Sequence, residues 1–408
     1  MSNAVNLAIR NLLADGRRLA LSLAGVSFAV VLMFAEWGFY NALLDASASL
    51  IDRFDGDLVM VSKVKTSLQA YGGFPQRRLI QALSVPGVAE VRPLYLEENR
   101  SIWRADASHF RDRPTPADRR PRRAPIRALG VDPDAPALRL DVPPNTLNAL
   151  RLPDRVLFDR TSGDNFGRPD ISSSHDELAR RDVAVAGDVA IGRDFVHDGN
   201  LVMGLTAWEE YLPVRGGSAL RTVEAGLIKV APGFDPLEVR ERLRQLRAGV
   251  PSAAGDPLSG DDVRIFTVDE FRDQEKAFWR GSTPVGFIFG LGLAMGLIVG
   301  LVICYQILST DVTERLSEYA TLKAIGYSDR YLGGVVFLQA FCLAAAGFVP
   351  GVLASLGLYA ALAGVTGLPV FLTWDRALFV LALTIVMCGV SGFVTVRKVQ
   401  TADPASLF

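Results

Sequence analysis

The sequence predicts a multi-pass α-helical membrane protein with four transmembrane (TM) helices and a large mixed α+β extracytoplasmic domain between TM1 and TM2. Three observations lead there. Hydrophobic residues make up 50% of the 408 residues and charged residues only 21%, which excludes a disordered chain. The charges are unevenly spread. Val285–Leu308, Leu332–Gly364 and Ala377–Val396 contain none, and Leu19–Leu44 contains only Glu36. Each run reaches the ~20 residues that cross a ~30 Å hydrocarbon core. Asp45–Pro284, by contrast, reads as ordinary globular sequence.

Taken in order, residues 1–18 come first. Val5, Ala8, Ile9, Leu12 and Leu13 recur at helical spacing, with Asn6, Arg10 and Asn11 opposite. That pattern predicts an amphipathic helix on the cytoplasmic membrane surface, turning at Asp15-Gly16 into TM1 (residues 19–44). The apolar run is about twice a signal-peptide core, so it is not read as a cleavable signal. Glu36 is the one carboxylate inside a span. A charge in hydrocarbon is either functional or placed near a headgroup or a helix interface, and the sequence leaves these open.

Residues 45–284 alternate strand and helix signals. Strands are expected at Asp57–Val61, Val88–Pro93, Ile126–Val131, Val183–Ile191, Gly226–Val230 and Val263–Val268. Helices are expected at Gln76–Leu83, Pro236–Leu246 and Asp269–Trp279. This is an α+β pattern. Between Arg100 and Arg127 there are nine Arg against three Asp, which reads as a solvated loop or, failing that, a contact with anionic lipid or an acidic partner.

TM2 (285–308) carries Gly286, Gly290, Gly292, Gly296 and Gly300. Such a stripe permits close helix approach, either as a dimer seam or against TM1 of the same chain. A short polar loop (309–331) leads to TM3 (332–364), where Pro350-Gly351 implies a kink or break. A second loop (365–376), TM4 (377–396) and a tail (397–408) complete the chain. Arg10, Arg17, Arg18, Arg315, Lys323, Arg330, Arg397 and Lys398 all fall on one side of four spans. That side is expected to be cytoplasmic.

Several chemistries are missing. Net charge is -1, and no basic patch interleaved with aromatics calls for nucleic acid. There is no GxxxxGK[ST], so no phosphate-cradling loop for ATP is expected on this chain. No HExxH and no GxSxG occur. His109, His175 and His197 lie far apart in polar stretches and read as surface or turn residues. Cys304, Cys388 and Cys342 fall in the spans and read as small apolar packing residues. No catalytic residue, metal site or cofactor is therefore expected here.

The informative segment is the inner loop, QILSTDVTERLSEYATLKAIGYSDRY (Gln306–Tyr331). Thr310 or Asp311 can cap a helix, Leu316, Tyr319, Ala320 and Lys323 share one face, and Gly326 can end it. A mere connection needs only a few residues. This one is long and rich in alternating charge, as a segment gripped by another protein would be.

EYATLKAIGY (Glu318–Tyr327) resembles the inner-loop signature of FtsX-like permeases of the MacB and lipoprotein-releasing group of ABC transporters. YQILSTDV (Tyr305–Val312), VVFLQA (Val335–Ala340), GFVPG (Gly347–Gly351), NLAIRNL (Asn6–Leu12) and ADPASLF (Ala402–Phe408) are similar to the DevC branch, the permease subunit of DevBCA-type exporters. The resemblance covers both ends of the chain and is diffuse in the domain. It implies a homodimer in the bacterial inner membrane, with both termini cytoplasmic. It also implies a separate cytoplasmic ABC ATPase carrying ATP and Mg, a periplasmic HlyD-like membrane-fusion adaptor, a TolC-like outer-membrane duct, and export of a lipid, glycolipid or other amphiphile by mechanotransmission. On this reading Glu314, Arg315, Glu318, Tyr319 and Lys323 form the ATPase contact and Gly326 sets the helix end. The alternative is an FtsX-like regulator that drives a cell-wall hydrolase and transports nothing.

Overall fold

The computed structural model describes residues 16–70, 72–106, 123–169, 171, 176–214, 217–249, 262–282, 284–366 and 370–400. The expected surface helix before Asp15, most of the Arg-rich stretch, His109, His175 and residues 401–408 of the C-terminal tail lie outside them, while residues 397–400 extend the last helix. The described helices are α1 (Gly16–Ala48), α2 (Gln76–Ala82), α3 (Pro144–Ala149), α4 (Leu205–Tyr211), α5 (Pro236–Gly249), α6 (Val268–Gly281), α7 (Pro284–Glu314), α8 (Leu316–Ala324), α9 (Asp329–Thr366) and α10 (Trp374–Gln400). The strands are β1 (Leu58–Ser62), β2 (Phe74–Pro75), β3 (Val88–Glu97), β4 (Ile102–Arg104), β5 (Ala124–Pro125), β6 (Arg127–Val131), β7 (Arg155–Asp159), β8 (Asp176–Leu178), β9 (Arg181–Val189), β10 (Asn200–Gly204), β11 (Thr222–Val223), β12 (Ala225–Val230) and β13 (Val263–Thr267). The chain divides into a helical unit, residues 1–42 with 283–408, and a domain, residues 43–282.

The domain is built on an 11-stranded mixed sheet in the order β13-β1-β12-β3-β6-β10-β7-β9-β8-β4-β5. Only β6/β10 and β7/β9 pair in parallel. Strand side chains alternate between faces, and here both faces are covered. In β1, Leu58 and Met60 pack with Leu201, Met203 and Ile228, while Val59 and Val61 pack with Leu129, Val202 and Leu227 on the other side. Continuous apolar runs such as Leu201–Met203 follow from that double burial. α6 starts from a capping box: Thr267 Oγ1 accepts the Glu270 N–H, and the Glu270 carboxylate accepts the Thr267 N–H. This T-x-x-E spacing is a helix-start signature.

The helical unit holds the membrane-spanning part. Four helices are long and apolar enough to cross a bilayer: Leu19–Ala48, Pro284–Glu314, Asp329–Gly364 and Trp374–Arg397. The protein is thus a four-span membrane protein with a large α/β domain inserted between its first two spans. α7, at 31 residues, is about 46 Å long and exceeds the ~30 Å hydrocarbon thickness.

Close contacts at small residues join the spans. A Cβ at Gly347 would lie 2.7 Å from Val26 Cγ1 and one at Gly351 2.6 Å from Val30 Cγ1, so α1 sits directly on α9. Ser27 Oγ donates to the Gly347 carbonyl at 2.9 Å, and the Tyr359 hydroxyl donates to the Phe34 carbonyl at 2.6 Å. Gly292, Gly296 and Gly300 of α7 face Glu36, Met33 and Ala29 of α1. That part of the glycine stripe packs within the chain. Gly290 has open space around it, and Gly286 is half-buried. Glu36 therefore lies at the α1–α7 interface, its carboxylate against Gly292. Of the expected kink or break at Pro350-Gly351, the break is absent: helical structure continues to Thr366. Proline is tolerated in a span that neighbouring helices support, and α1 presses on Gly347 and Gly351 to either side.

Two glycine substitutions separate seam from surface. Gly351→Ala drives a Cβ into the stiff, β-branched Val30 and should destabilise the protein by about 1–3 kcal/mol. Gly290→Ala meets nothing and should stay within about 0.5 kcal/mol. Denaturant titration of the reconstituted protein measures both.

Candidate functional site

The segment between the second and third spans forms a helix, but not where capping at Thr310 or Asp311 would start it. α7 runs unbroken through both residues to Glu314, because Leu308, Ser309 and Val312 remain buried and extend its packed face. The chain bends at Arg315 (φ −96°, ψ 14°), and α8 begins at Leu316. Gly326 then terminates it at φ +107°. Its N–H bonds the Lys323 carbonyl at 3.0 Å, and the Tyr327 N–H bonds the Leu322 carbonyl at 3.1 Å. These are the paired bonds of a Schellman ending, and the left-handed conformation requires glycine.

One face of α8 is fastened to the ends of the spans. Tyr319 packs with Val312 of α7, Leu332 and Val336 of α9 and Val396 of α10. Ala320 is buried beside it. Burial pushes the Tyr319 hydroxyl up to about 12, with Asp311 and Glu318 adding to the shift. At 3% exposure this side chain cannot belong to a docking surface, which corrects its expected role: it anchors the helix. Arg315 is also mostly inward, bridging Asp311 at 3.3 Å and Glu318 at 3.9 Å. Lys323 clips α8 to the start of α9 through Asp329 at 3.0 Å.

The opposite face is open. Glu314, Ser317, Glu318, Thr321 and Ala324 are exposed. So are two apolar residues that the charge pattern did not single out, Ile325 at 70% and Tyr327 at 44%. Large apolar side chains left in solvent beside charges are what a protein-binding surface presents. Their signal in the sequence was weak because they flank the helix stop.

A second cluster, in the domain, was also missed. Arg127, the last residue of the Arg-rich stretch, is buried rather than solvated. Its guanidinium contacts Asp194 at 2.5 Å and Asn200 at 2.7 Å. Asn200 in turn donates to Asp159 at 2.7 Å. His197, expected at the surface or in a turn, sits in the loop before β10 and is 8% exposed, with Nδ1 3.1 Å from Asp194 and Nε2 3.2 Å from Glu98. Asp194 also accepts the Val196 and His197 N–H groups and so pins their loop. Burial opposes charge on His197, but the bonds to Asp194 and Glu98 outweigh it and raise its pKa, against the charge of Arg127. Burial likewise opposes charge on Asp194, yet the His197 hydrogen bond and the Arg127 charge hold it well below the usual carboxylate range. Among the described residues no group of three or more His, Cys, Asp or Glu could hold a metal ion.

Residues 290–404 match the FtsX-like permease C-terminal family. That segment contains most of the second span, α8 and the last two spans. No curated protein matches the chain. Among solved structures, the periplasmic region of MacB from Actinobacillus actinomycetemcomitans is similar at 12% identity and TM-score 0.36, over 54% of this chain and 92% of that one. The extracellular domain of the noncanonic ABC-type transporter YknZ from Gram-positive bacteria is similar at 10% identity and TM-score 0.33, over 52% and 100%. A permease-protein domain from Porphyromonas gingivalis is similar at 14% identity and TM-score 0.31, over 52% and 86%.

Two predictions follow the chemistry of these clusters. Gly326→Ala should destabilise the α8 end by about 1–2 kcal/mol, read as faster amide exchange at residues 322–327. A raised folded pKa makes the His197 contribution complete below its unfolded value of about 6.5 and lost as pH rises through the folded value. The thermal stability of the wild type relative to His197→Gln should therefore grow as pH is lowered from about 8.5 to about 6.

Proposed function

We propose that this chain is the membrane subunit of an ABC-type export complex of the DevC branch. A separate cytoplasmic ATPase binds ATP and Mg and docks on α8. Its motion is passed through the spans to the domain between the first two of them, in the manner of mechanotransmission. The cargo is a lipid, glycolipid or other amphiphile, handed to a HlyD-like periplasmic adaptor and from there to a TolC-like duct. The working unit is a homodimer in the inner membrane, with both termini cytoplasmic and the domain outside. No step of catalysis falls to this chain.

The observation that carries the reading is α8 itself, inside the residues that match the FtsX-like permease family. It is anchored on one face by Tyr319, while Glu318, Ile325 and Tyr327 stand open on the other. A helix fastened to three spans and open to solvent can receive a push and deliver it to them. Support for cargo that avoids a polar pore comes from the spans: among their described residues Glu36 is the one charged side chain within the apolar runs, and a hydrophilic path needs more. The domain is joined covalently to the first two spans, so displacement of those helices reaches it.

Charge reversal tests the contact. Glu318→Lys with Lys323→Glu should abolish recovery of an ATPase with the purified chain while membrane insertion is unchanged. Normal ATPase recovery with the double variant would remove the assignment. Co-purification of an HlyD-like adaptor from native membranes tests the export direction, and recovery of a cell-wall hydrolase in its place would contradict it.

A further inference from the structure

The domain carries a cavity of about 350 Å³, at the small end of the range for small-molecule sites. One side of it is apolar. Leu68, from the loop after β1, lies there with the tilted ring pair of Tyr95 (β3) and Trp208 (α4), whose centroids are 5.7 Å apart. The other side is charged, with three carboxylates, Glu97, Glu98 and Glu224, against two cations, Lys65 and Arg100. The cations are engaged. Lys65, 1% exposed, donates to Glu224 at 2.7 Å and to the Ala70 carbonyl at 2.9 Å. Arg100 donates to Glu97 at 2.6 Å and to the Pro213 carbonyl at 3.0 Å. Glu97 also accepts the Asn99 and Arg100 N–H groups. Glu98 and Glu224 differ from it. Each is held through one oxygen, Glu98 by His197 and Glu224 by Lys65. Among the described residues, the second oxygen of each has no hydrogen-bond partner. A carboxylate accepts through both oxygens, so this lining keeps acceptors free while most of its donors are spent.

We propose that the cavity binds a small free amine. Its ammonium group meets Glu98 and Glu224, and its apolar body lies against Leu68, Tyr95 and Trp208. A charged donor suits an uneven lining of this kind, because hydrogen bonds between ions are the strong ones. The site is additional to the export reading and does not rest on it. It is also tied to α6. Glu275 of that helix is 1% exposed, and its carboxylate accepts the Leu68 N–H at 2.6 Å and the Trp279 Nε1–H at 3.0 Å. Gln274 adds a longer bond to the Thr66 carbonyl at 3.4 Å. Residues 65–70, one wall of the cavity, are thus fastened to the helix that leads in sequence into the second span. A ligand that orders this wall orders α6 with it.

Amide exchange of the full chain in phosphatidylcholine nanodiscs tests the site, with phenethylamine and 3-phenylpropionate as probes of opposite charge. At ten times its Kd, phenethylamine should slow exchange at residues 65–70 and in α6 about tenfold. 3-Phenylpropionate should not. Glu98→Gln should raise the phenethylamine Kd about tenfold, the weight of one hydrogen bond to a charged group. Glu275→Leu should leave that Kd within about threefold and abolish the slowing in α6. Glu275→Gln, which keeps an acceptor for the Leu68 N–H, should retain it. No slowing with phenethylamine, equal slowing with 3-phenylpropionate, or an unchanged Kd in Glu98→Gln would overturn the amine site. Slowing in α6 that survives Glu275→Leu would overturn the link to that helix. Adding phosphatidylethanolamine to the nanodiscs should leave the Kd unchanged. Competition by it would overturn the free amine in favour of a lipid headgroup.

Discussion

Helices in hydrocarbon gain nothing from burying apolar surface against one another, so close van der Waals contact at small residues must hold them. The helical unit depends on that constraint. α1 carries Val26 and Val30 into the backbone of α9 at Gly347 and Gly351, and it meets Gly292, Gly296 and Gly300 of α7 on another side. Two hydroxyl bonds, from Ser27 and Tyr359, add direction to the α1–α9 contact. α7 and α10 meet at Gly300 and Met387, at the buried Cys304 and Cys388 thiols, and where Ser391 donates to the Leu301 carbonyl. An added Cβ would clash at Gly292, Gly300, Gly347 and Gly351, so these helices pack with little room for continuous deformation.

The coupling role proposed for α8 draws on that rigidity. Its inner face is seated on the ends of α7, α9 and α10 through Tyr319 and Ala320, and its two ends are closed by an abrupt bend at Arg315 and a Schellman turn at Gly326. A short helix of nine residues would not be stable alone. Tertiary contact holds it, and the same contact couples it to the spans. The domain applies a different solution to the same need for stiffness. Its sheet is covered on both faces, and the Arg127–Asp194–His197 cluster ties strand to loop where an unpaired charge would be expensive.

Much of this was legible in the sequence. Uncharged runs marked the spans because hydrocarbon excludes charge, and strands were expected where β1 and β12 lie. Gly326 announced the end of α8, since only glycine takes that φ without strain. Other features were hidden because they depend on partners far away in the chain. Tyr319 looked like a contact residue until Val336 and Val396 were found against it. His197 and Arg127 looked solvated because each sits in a polar stretch, and the β6–β10 pairing is what brings Arg127 to Asp194, His197 and Asn200. The start of α8 was misplaced because Thr310 and Asp311 are good capping residues, yet the buried seam of α7 overrides that local preference. Proline at 350 suggested a kink or break, but the support of α1, which keeps the helix continuous, lies 320 residues away along the chain.

The measurement that tests the central claim most directly is site-specific photocrosslinking in native membranes, with a photoreactive side chain placed in turn at Glu318, Ile325 and Tyr319. The account predicts capture of an ABC ATPase from Glu318 and Ile325 and none from Tyr319. Capture from Tyr319, or no ATPase from either exposed position, would contradict it.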